Sequence, residues 1–414
     1  MSDSAVGAGT TAKLGKVEGE LKVGRGARII PESGRRVVIT EGAYFEGPAT
    51  LDCDFECKSM RVEGRGWGPG GDFVIRGALT IHGSADINAS VRADGEVVSQ
   101  DLDIAGHLQS GSVTSKGLRV GGHLTTRGSL RAEMVDVGGH MSITDDVDIA
   151  GLRVGGHAQI AGGKISGEIK VRGHFTTKKP LTYGQIQVYG HLRLPAGSTG
   201  EQIVALGKVE LDGDTTCKVI EIDGVGKVRG NCKADNVKVN GKFETAGGLH
   251  VSDKLEVNGS AETKKELECG RLFVGGRLTA DSIVATGQAD VAGEIWTEHG
   301  LKAKAVRIGT GSRINGSIIG ETVEVGTGVD LGGFWAHATN LRSIGRMTRV
   351  DDVWGREVDI NRYSQAKRVY ADVVRMKSGS IADEVNYTKD VDVPDHTHLG
   401  KPPKKVERLP EPPI

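Results

Sequence analysis

Six histidines share one setting. The phrase reads Val120-Gly-Gly-His123-Leu, Val137-Gly-Gly-His140-Met, Val154-Gly-Gly-His157-Ala, Val171-Arg-Gly-His174-Phe and Val188-Tyr-Gly-His191-Leu, with His107 ahead of them. Imidazole is a good zinc or copper ligand, and it titrates near neutral pH. The spacing chooses between these chemistries. One histidine per repeat makes a ladder, in which three or four donors never converge on a point. Rings stacked about 4.8 Å apart should instead resist becoming charged together. Further along, the same column reads Lys208, Lys227, Lys242, Ser260, Arg277 and Glu294. A position that accepts all of these is a solvated face, so we expect no metal there.

Other reactive groups read the same way. Carboxylates cluster at Asp145, Asp146 and Asp148 and at Asp351 and Asp352. Coils that cleave carbohydrates pair such groups with calcium or a basic residue; here they fall at expected corners, as solvated turns. The five cysteines, Cys53, Cys57, Cys217, Cys232 and Cys269, are odd in number and irregularly spaced. They read as small buried residues of a reducing compartment. Cys217 and Cys232 stand about one repeat apart, at stacking distance. Cys53 and Cys57 have no matching second pair for a metal. The run RGWGPGG (65–71) lacks the strand–helix context of a nucleotide loop, and Gly224-Val-Gly-Lys227-Val is not a P-loop. We therefore expect no enzyme, no catalytic residues, no cofactor, no metal and no small-molecule substrate.

What positions these residues is a repeat. The recurring glycines are Gly106, Gly122, Gly139, Gly156, Gly173, Gly190, Gly207, Gly226, Gly241, Gly259, Gly276 and Gly293. Their gaps are 16, 17, 17, 17, 17, 17, 19, 15, 18, 17 and 17, which average 17. Helical repeats need roughly 33 to 47 residues, so 17 is too short. In one unit, Val120 to Asp136, much of the apolar spacing is two, the strand period. The expected fold is all-β: a parallel β-helix, or β-solenoid, with each repeat forming one rung. The glycine then marks a corner that wants positive φ or close backbone approach.

The boundaries follow. Residues 1–16 are small and polar and read as a disordered tail. The coil spans 17–393, most regular over 104–295 and less so over 17–103 and 296–393. Residues 394–414 hold six of the 11 prolines and read as a second disordered tail. At about 4.8 Å per rung, roughly 22 rungs make a rod on the order of 100 Å long. Gly is 63 of 414 residues and aromatics only 4%, so a narrow coil leaves little room for rings. Rings are denser near the end, at Phe334, Trp335, Trp354, Tyr363, Tyr370 and Tyr387, where a wider coil or a contact region is expected. The net charge of −1, from 53 basic and 54 acidic residues, gives no basic block for nucleic acid. No apolar run is long enough for a membrane span, and no signal peptide opens the chain. The expectation is a cytoplasmic protein.

A solenoid does not close on itself, and its terminal rungs expose unpaired strand edges. No amphipathic capping helix is visible at either end. End-to-end association is the consequence, with Leu21, Val23, Ile29 and Ile30 at one end and Val385, Tyr387, Val391 and Val393 at the other as candidate interface residues.

The phrases Val17-Glu-Gly-Glu-Leu-Lys-Val-Gly, Gly316-Ser-Ile-Ile-Gly-Glu-Thr-Val-Glu-Val-Gly and the Val-x-Gly-x-Leu units resemble the bactofilin, or polymer-forming cytoskeletal, family. The likeness is one of pattern and covers roughly residues 17–393. This coil is about three times longer than the usual bactofilin domain, and its head lacks an apolar membrane-binding segment. The resemblance implies a right-handed, three-sided β-helix that polymerises end to end into filaments without nucleotide, often at a membrane. The expected partners are then further copies of the chain, and through the tails a membrane surface or other cytoskeletal or cell-envelope proteins. Two other readings remain: a monomeric binding rod, which should have polar, capped ends, and a β-helical enzyme. Against an acyltransferase stands the period of 17 rather than six; against a carbohydrate enzyme, the missing secretion signal.

Overall fold

The computed structural model describes residues 4–64, 71–328 and 347–413. The chain divides into two units, Met1–Glu201 and Gln202–Ile414. Both are built from parallel strands stacked turn upon turn, a β-solenoid, and no helix occurs among the described residues. In the first unit one column of partners runs Ile104, Val120, Val137, Val154, Val171, Val188. In the second it runs Ile222, Val239, Val257, Val274, Val291, Ile308, Val325. Each step is one repeat, which keeps side chains of one type above one another.

Local sequence explains the shape of a turn. In Leu130–Val137, Leu130, Val135 and Val137 face inward while Glu133 and Met134 are both exposed. Two exposed residues in succession break the alternation of a strand and mark the corner. Each inward Val, Leu or Ile contributes about 1.5–3 kcal/mol by leaving water, so the stacked columns are the main source of cohesion. Inward hydroxyls answer corner carbonyls: the Thr263 hydroxyl donates to the Gly247 carbonyl at 2.8 Å.

Rings do enter the core. Phe45 lies against Phe55 and Phe73, with centroids 6.1 and 4.9 Å away. Turns here are longer, pairing Leu21 with Ala43 and Met60 with Ala85, and the extra chain widens the interior. Phe175 and Phe243 are buried in turns of ordinary length. A Cβ at Gly226 would stand 2.8 Å from the Phe243 ring.

That last glycine corrects the repeat. Gly226 makes room for a ring and is not part of the corner column; Gly224 is. Its absent Cβ would fall 1.9 Å from the Gly207 carbonyl, and that of Gly241 2.0 Å from the Gly224 carbonyl. The gaps of 19 and 15 become 17 and 17. Of the two reasons offered for the corner glycine, close approach is the operative one. None of the column glycines from Gly122 to Gly293 has positive φ. The residue column moves with it: Lys208 pairs with Val225, and Val225 with Lys242. Val225 replaces Lys227, which lies between Glu210 and Glu244.

Both expected tails carry strands. At the start, β1 (Ser4–Val6), β2 (Thr11–Leu14) and β3 (Lys16–Val17) form a rung on β4 (Leu21–Val23), β5 (Arg28–Pro31) and β6 (Arg36–Ile39). The reason is a short repeat, Val6-Gly-Ala-Gly9 and Val23-Gly-Arg-Gly26, with Gly9 and Gly26 at φ 66° and 70°. At the other end His398–Leu399 pairs with Ile381–Ala382, and Lys404–Lys405 with Asn386–Tyr387. The prolines between them sit at a corner, where no ladder N–H is needed.

Candidate functional site

The first candidate is the rung β1–β3. Below it, Leu21, Val23 and Ile29 are fully buried and Ile30 half-buried. The four residues expected at the end surface therefore belong to the second turn. The first rung among the described residues presents Ala12 and Leu14, half-buried, beside the buried Val6 and Val17. The Thr10 and Leu14 carbonyls accept from Arg28 and Glu32 of the next turn, both at 2.8 Å. By strand alternation Thr11 and Lys13 turn their backbone groups the other way. On that side no strand pairs with β1, β2 or β3 among the described residues.

The C-terminal end differs. Val385 is fully buried, and Tyr387, Val391 and Val393 are half-buried. The Val406 N–H donates to the Tyr387 carbonyl at 2.8 Å, and the Gly400 N–H to the Ala382 carbonyl at 2.9 Å. Most of the strand Ile381–Asp392 is thus covered by the returning chain. Residues 389–392, which include Val391, have no strand on their outer side among the described residues.

The histidine column is a stack on the surface of the first unit. Ring centroids from His123 to His140, His157 and His174 lie 4.8, 4.9 and 4.5 Å apart, with planes within 8° of parallel. The ends turn away: His107 is tilted 57° to His123, and His191 stands at 74° to His174. His123 Nδ1 lies 3.0 Å from His107 Nδ1, and His140 Nδ1 lies 2.9 Å from His123 Nε2. Desolvation, then the charges of His107 and His140, hold the His123 pKa below its ordinary value.

Three donors do meet in the second unit: Asp281, Glu298 and His299 place ligand atoms within 4.8 Å of one another. His299 Nδ1 is 2.7 Å from Asp281 Oδ1. A bulge is responsible. Ala280 pairs with Thr297 and Ser282 with Gly300, so two residues oppose Asp281, and both Glu298 and His299 face solvent. Sequence reading missed this group because a bulge aligns residues that no fixed period aligns.

The other candidates hold structure. Lys367 meets Asp351 at 2.6 Å, and Arg368 meets Asp352 at 2.5 Å. Each carboxylate is answered one turn on, the partner the sequence hid. Asp146 is 3.4 Å from Lys179. All five cysteines are buried and free. Desolvation pushes the thiols of Cys53, Cys57, Cys232 and Cys269 up to about 12. Cys217 and Cys232 are not ladder partners: Cys217 pairs with Ala234, and Cys232 with Thr215. Trp354 and Tyr370 stack at 4.9 Å. Phe334, Trp335 and most of the run 65–71 lie outside the described residues.

No family model matches the chain, and neither the curated proteins nor the solved structures yield a match. No helix among the described residues is long and apolar enough to cross a membrane.

Proposed function

We propose that this chain is a non-enzymatic structural scaffold that assembles with its own copies by strand addition at its terminal rungs, into nucleotide-independent filaments. The observation that carries the reading is the open edge of β1–β3. An unpaired row of N–H and C=O groups is a template for another strand, and the half-buried Leu14 and Ala12 beside it gain from being covered. The buried thiols and the ion-paired Asp351 and Asp352 do not themselves favour an enzymatic reading. For the chain to continue past a dimer its C-terminal rung must also join. That requires the short strands His398–Leu399 and Lys404–Lys405 to leave it.

The covered C-terminal rung favours a second reading, a monomeric binding rod whose tail stops growth. Electron microscopy and sedimentation separate the two. Wild type should form assemblies that lengthen with concentration. Lys13→Pro removes an edge-directed N–H and should abolish them while circular dichroism stays unchanged. Deleting 394–414 should lengthen them, and Val391→Lys should shorten them if the C-terminal rung is the joint. Uniform single particles in every variant would sink the scaffold reading and leave the rod.

A further inference from the structure

One outer column of the first unit carries a charge order with a symmetry of its own. Successive ladder partners are Asp86, Asp103, Arg119, Asp136, Arg153 and Lys170. The signs run minus, minus, plus, minus, plus, plus. Reversed end for end, this order is the complement of itself. Among the described residues the side chains of Asp86, Asp136 and Arg153 make no ion pair or hydrogen bond, whereas Lys170 is held by Glu168 of its own strand at 2.8 Å. Arg119 and Asp103 are a loose 3.9 Å apart. Elsewhere on the surface such charges are tied to the next turn, as Arg277 is to Glu294 at 2.9 Å.

The ground around the column is shaped as well. Its first five members, Asp86 to Arg153, line a trough of about 1040 Å³. Met134 stands in that trough, 44% exposed, between Gly117 and Gly151 on the neighbouring turns. On the other side of the charge column run Gly121, Gly138 and Gly155, with no side chain to hold a neighbour away.

We infer that this face is an interface with a second copy of the chain, packed antiparallel about a two-fold axis. The axis lies in the face, parallel to the strands, midway between the turns of Arg119 and Asp136. Arg119 then meets the second copy's Asp136, Asp103 meets its Arg153, and Asp86 meets its Lys170. Each pair occurs twice, as an isologous contact requires. The same axis sets Met134 opposite the second copy's Gly117, where the Asp101 carboxylate lies 2.5 Å from the position a Cβ would take. Shifting the axis by half a turn puts Arg119 on Arg119 or Asp136 on Asp136. A parallel arrangement in register puts every charge on its like. Only the one antiparallel register satisfies all six.

Size sets the expected strength. Six turns at about 4.8 Å by five residues at about 3.3 Å cover roughly 480 Å² per partner, the size of a weak, transient contact. The pairs are exposed, so association should weaken as salt screens them. This inference does not depend on strand addition at the ends.

The test uses the full chain with Asp103→Cys and Arg153→Cys together. Within one chain these positions are three turns, about 14 Å, apart, too far for a disulfide. The native thiols are buried and will not compete. Mild oxidation should give a covalent dimer as the main species on a denaturing gel, with less than a tenth as much from either single variant. That gel reads the lateral contact whether or not the ends join, so failure here and failure of the scaffold reading are told apart. As a second arm, sedimentation at low salt should show Asp103→Arg weakening the dimer about tenfold, and Asp103→Arg with Arg153→Asp restoring it. No covalent dimer from the double cysteine variant, equal cross-linking by the single variants, or no restoration by the charge swap would each overturn the proposal.

Discussion

The two units build the same corner and dress it differently. Both place a glycine where the preceding turn's glycine carbonyl leaves no room for a Cβ: 2.2 Å at Gly190 in the first, 1.9 Å at Gly276 in the second. The residue that follows the glycine diverges. In the first unit it is a run of stacked imidazoles, His123 to His174 within 4.9 Å ring to ring. In the second it is Lys208, Val225, Lys242, Ser260, Arg277 and Glu294, joined where they are joined by ion pairs such as Arg277–Glu294. The glycine is demanded by backbone approach; its neighbour is left free. A single residue type held over six turns at a free position is therefore a property of the first unit alone.

Breaking the shared feature should have the largest effect, and in both units alike. Gly190→Ala and Gly276→Ala each press a methyl onto backbone that cannot give way. We expect a loss of about 3 kcal/mol, the upper end of overpacking costs, read as the urea midpoint at unchanged slope. Ser260→Ala, one column over, should change stability by less than about 0.5 kcal/mol. Equal effects from the glycine and serine variants would remove close approach as the reason for the corner.

Acid should separate the units next. The folded-state pKa of His123 is depressed below 6.5, so the unfolded chain takes up its proton first. The contribution is fully present above about pH 6.5 and is lost as pH falls below it. In the second unit Glu244 is also depressed, first by its hydrogen bond from Lys242. Its contribution holds until pH drops below about 4.5. Hydrogen exchange between pH 7.5 and 5.5 should therefore show faster opening in the turns next to His123 and little change in the turns next to Glu244. His123→Gln should blunt that difference. An equal response in both regions would remove the depressed His123 pKa as a source of acid sensitivity.

These contrasts also mark what the chain could disclose unaided. The stacking period was readable because Val120, Val137 and Val154 recur at one spacing, and a column needs nothing else. Gly226 was misread for a physical reason: it is a glycine near the expected place, but Phe243, not the neighbouring carbonyl, dictates it. The strands inside the supposed N-terminal tail were legible in Gly7-Ala-Gly9 against Gly24-Arg-Gly26; the small polar residues around them masked a repeat of two. The C-terminal cover was not legible, because Lys404–Lys405 has no apolar alternation and is held by backbone pairing alone. The Asp281, Glu298 and His299 group was hidden by its bulge. The antiparallel charge order follows the regular repeat, with steps of 17, 16, 17, 17 and 17 residues from Asp86 to Lys170, and only the ladder shows that these charges share one outer column.

The smallest effect should come from the ion pairs that stand in the second unit where imidazoles stand in the first. Arg277 and Glu294 are 60% and 40% exposed, and the guanidinium donates through both Nε and Nη2 to one carboxylate oxygen. Exposed pairs of this kind contribute about 0.2–1 kcal/mol. Arg277→Ala should thus lower stability by less than about 1 kcal/mol, and at 1 M salt, where the Debye length falls to about 3 Å, the difference should shrink further. A double-mutant cycle with Glu294→Ala at both salt concentrations isolates the pair from the Arg277 stem, which lies along the same face. A coupling that stays above about 1 kcal/mol at high salt would mean that this corner is ordered by its side chains after all, and that the two units are more alike than their residues suggest.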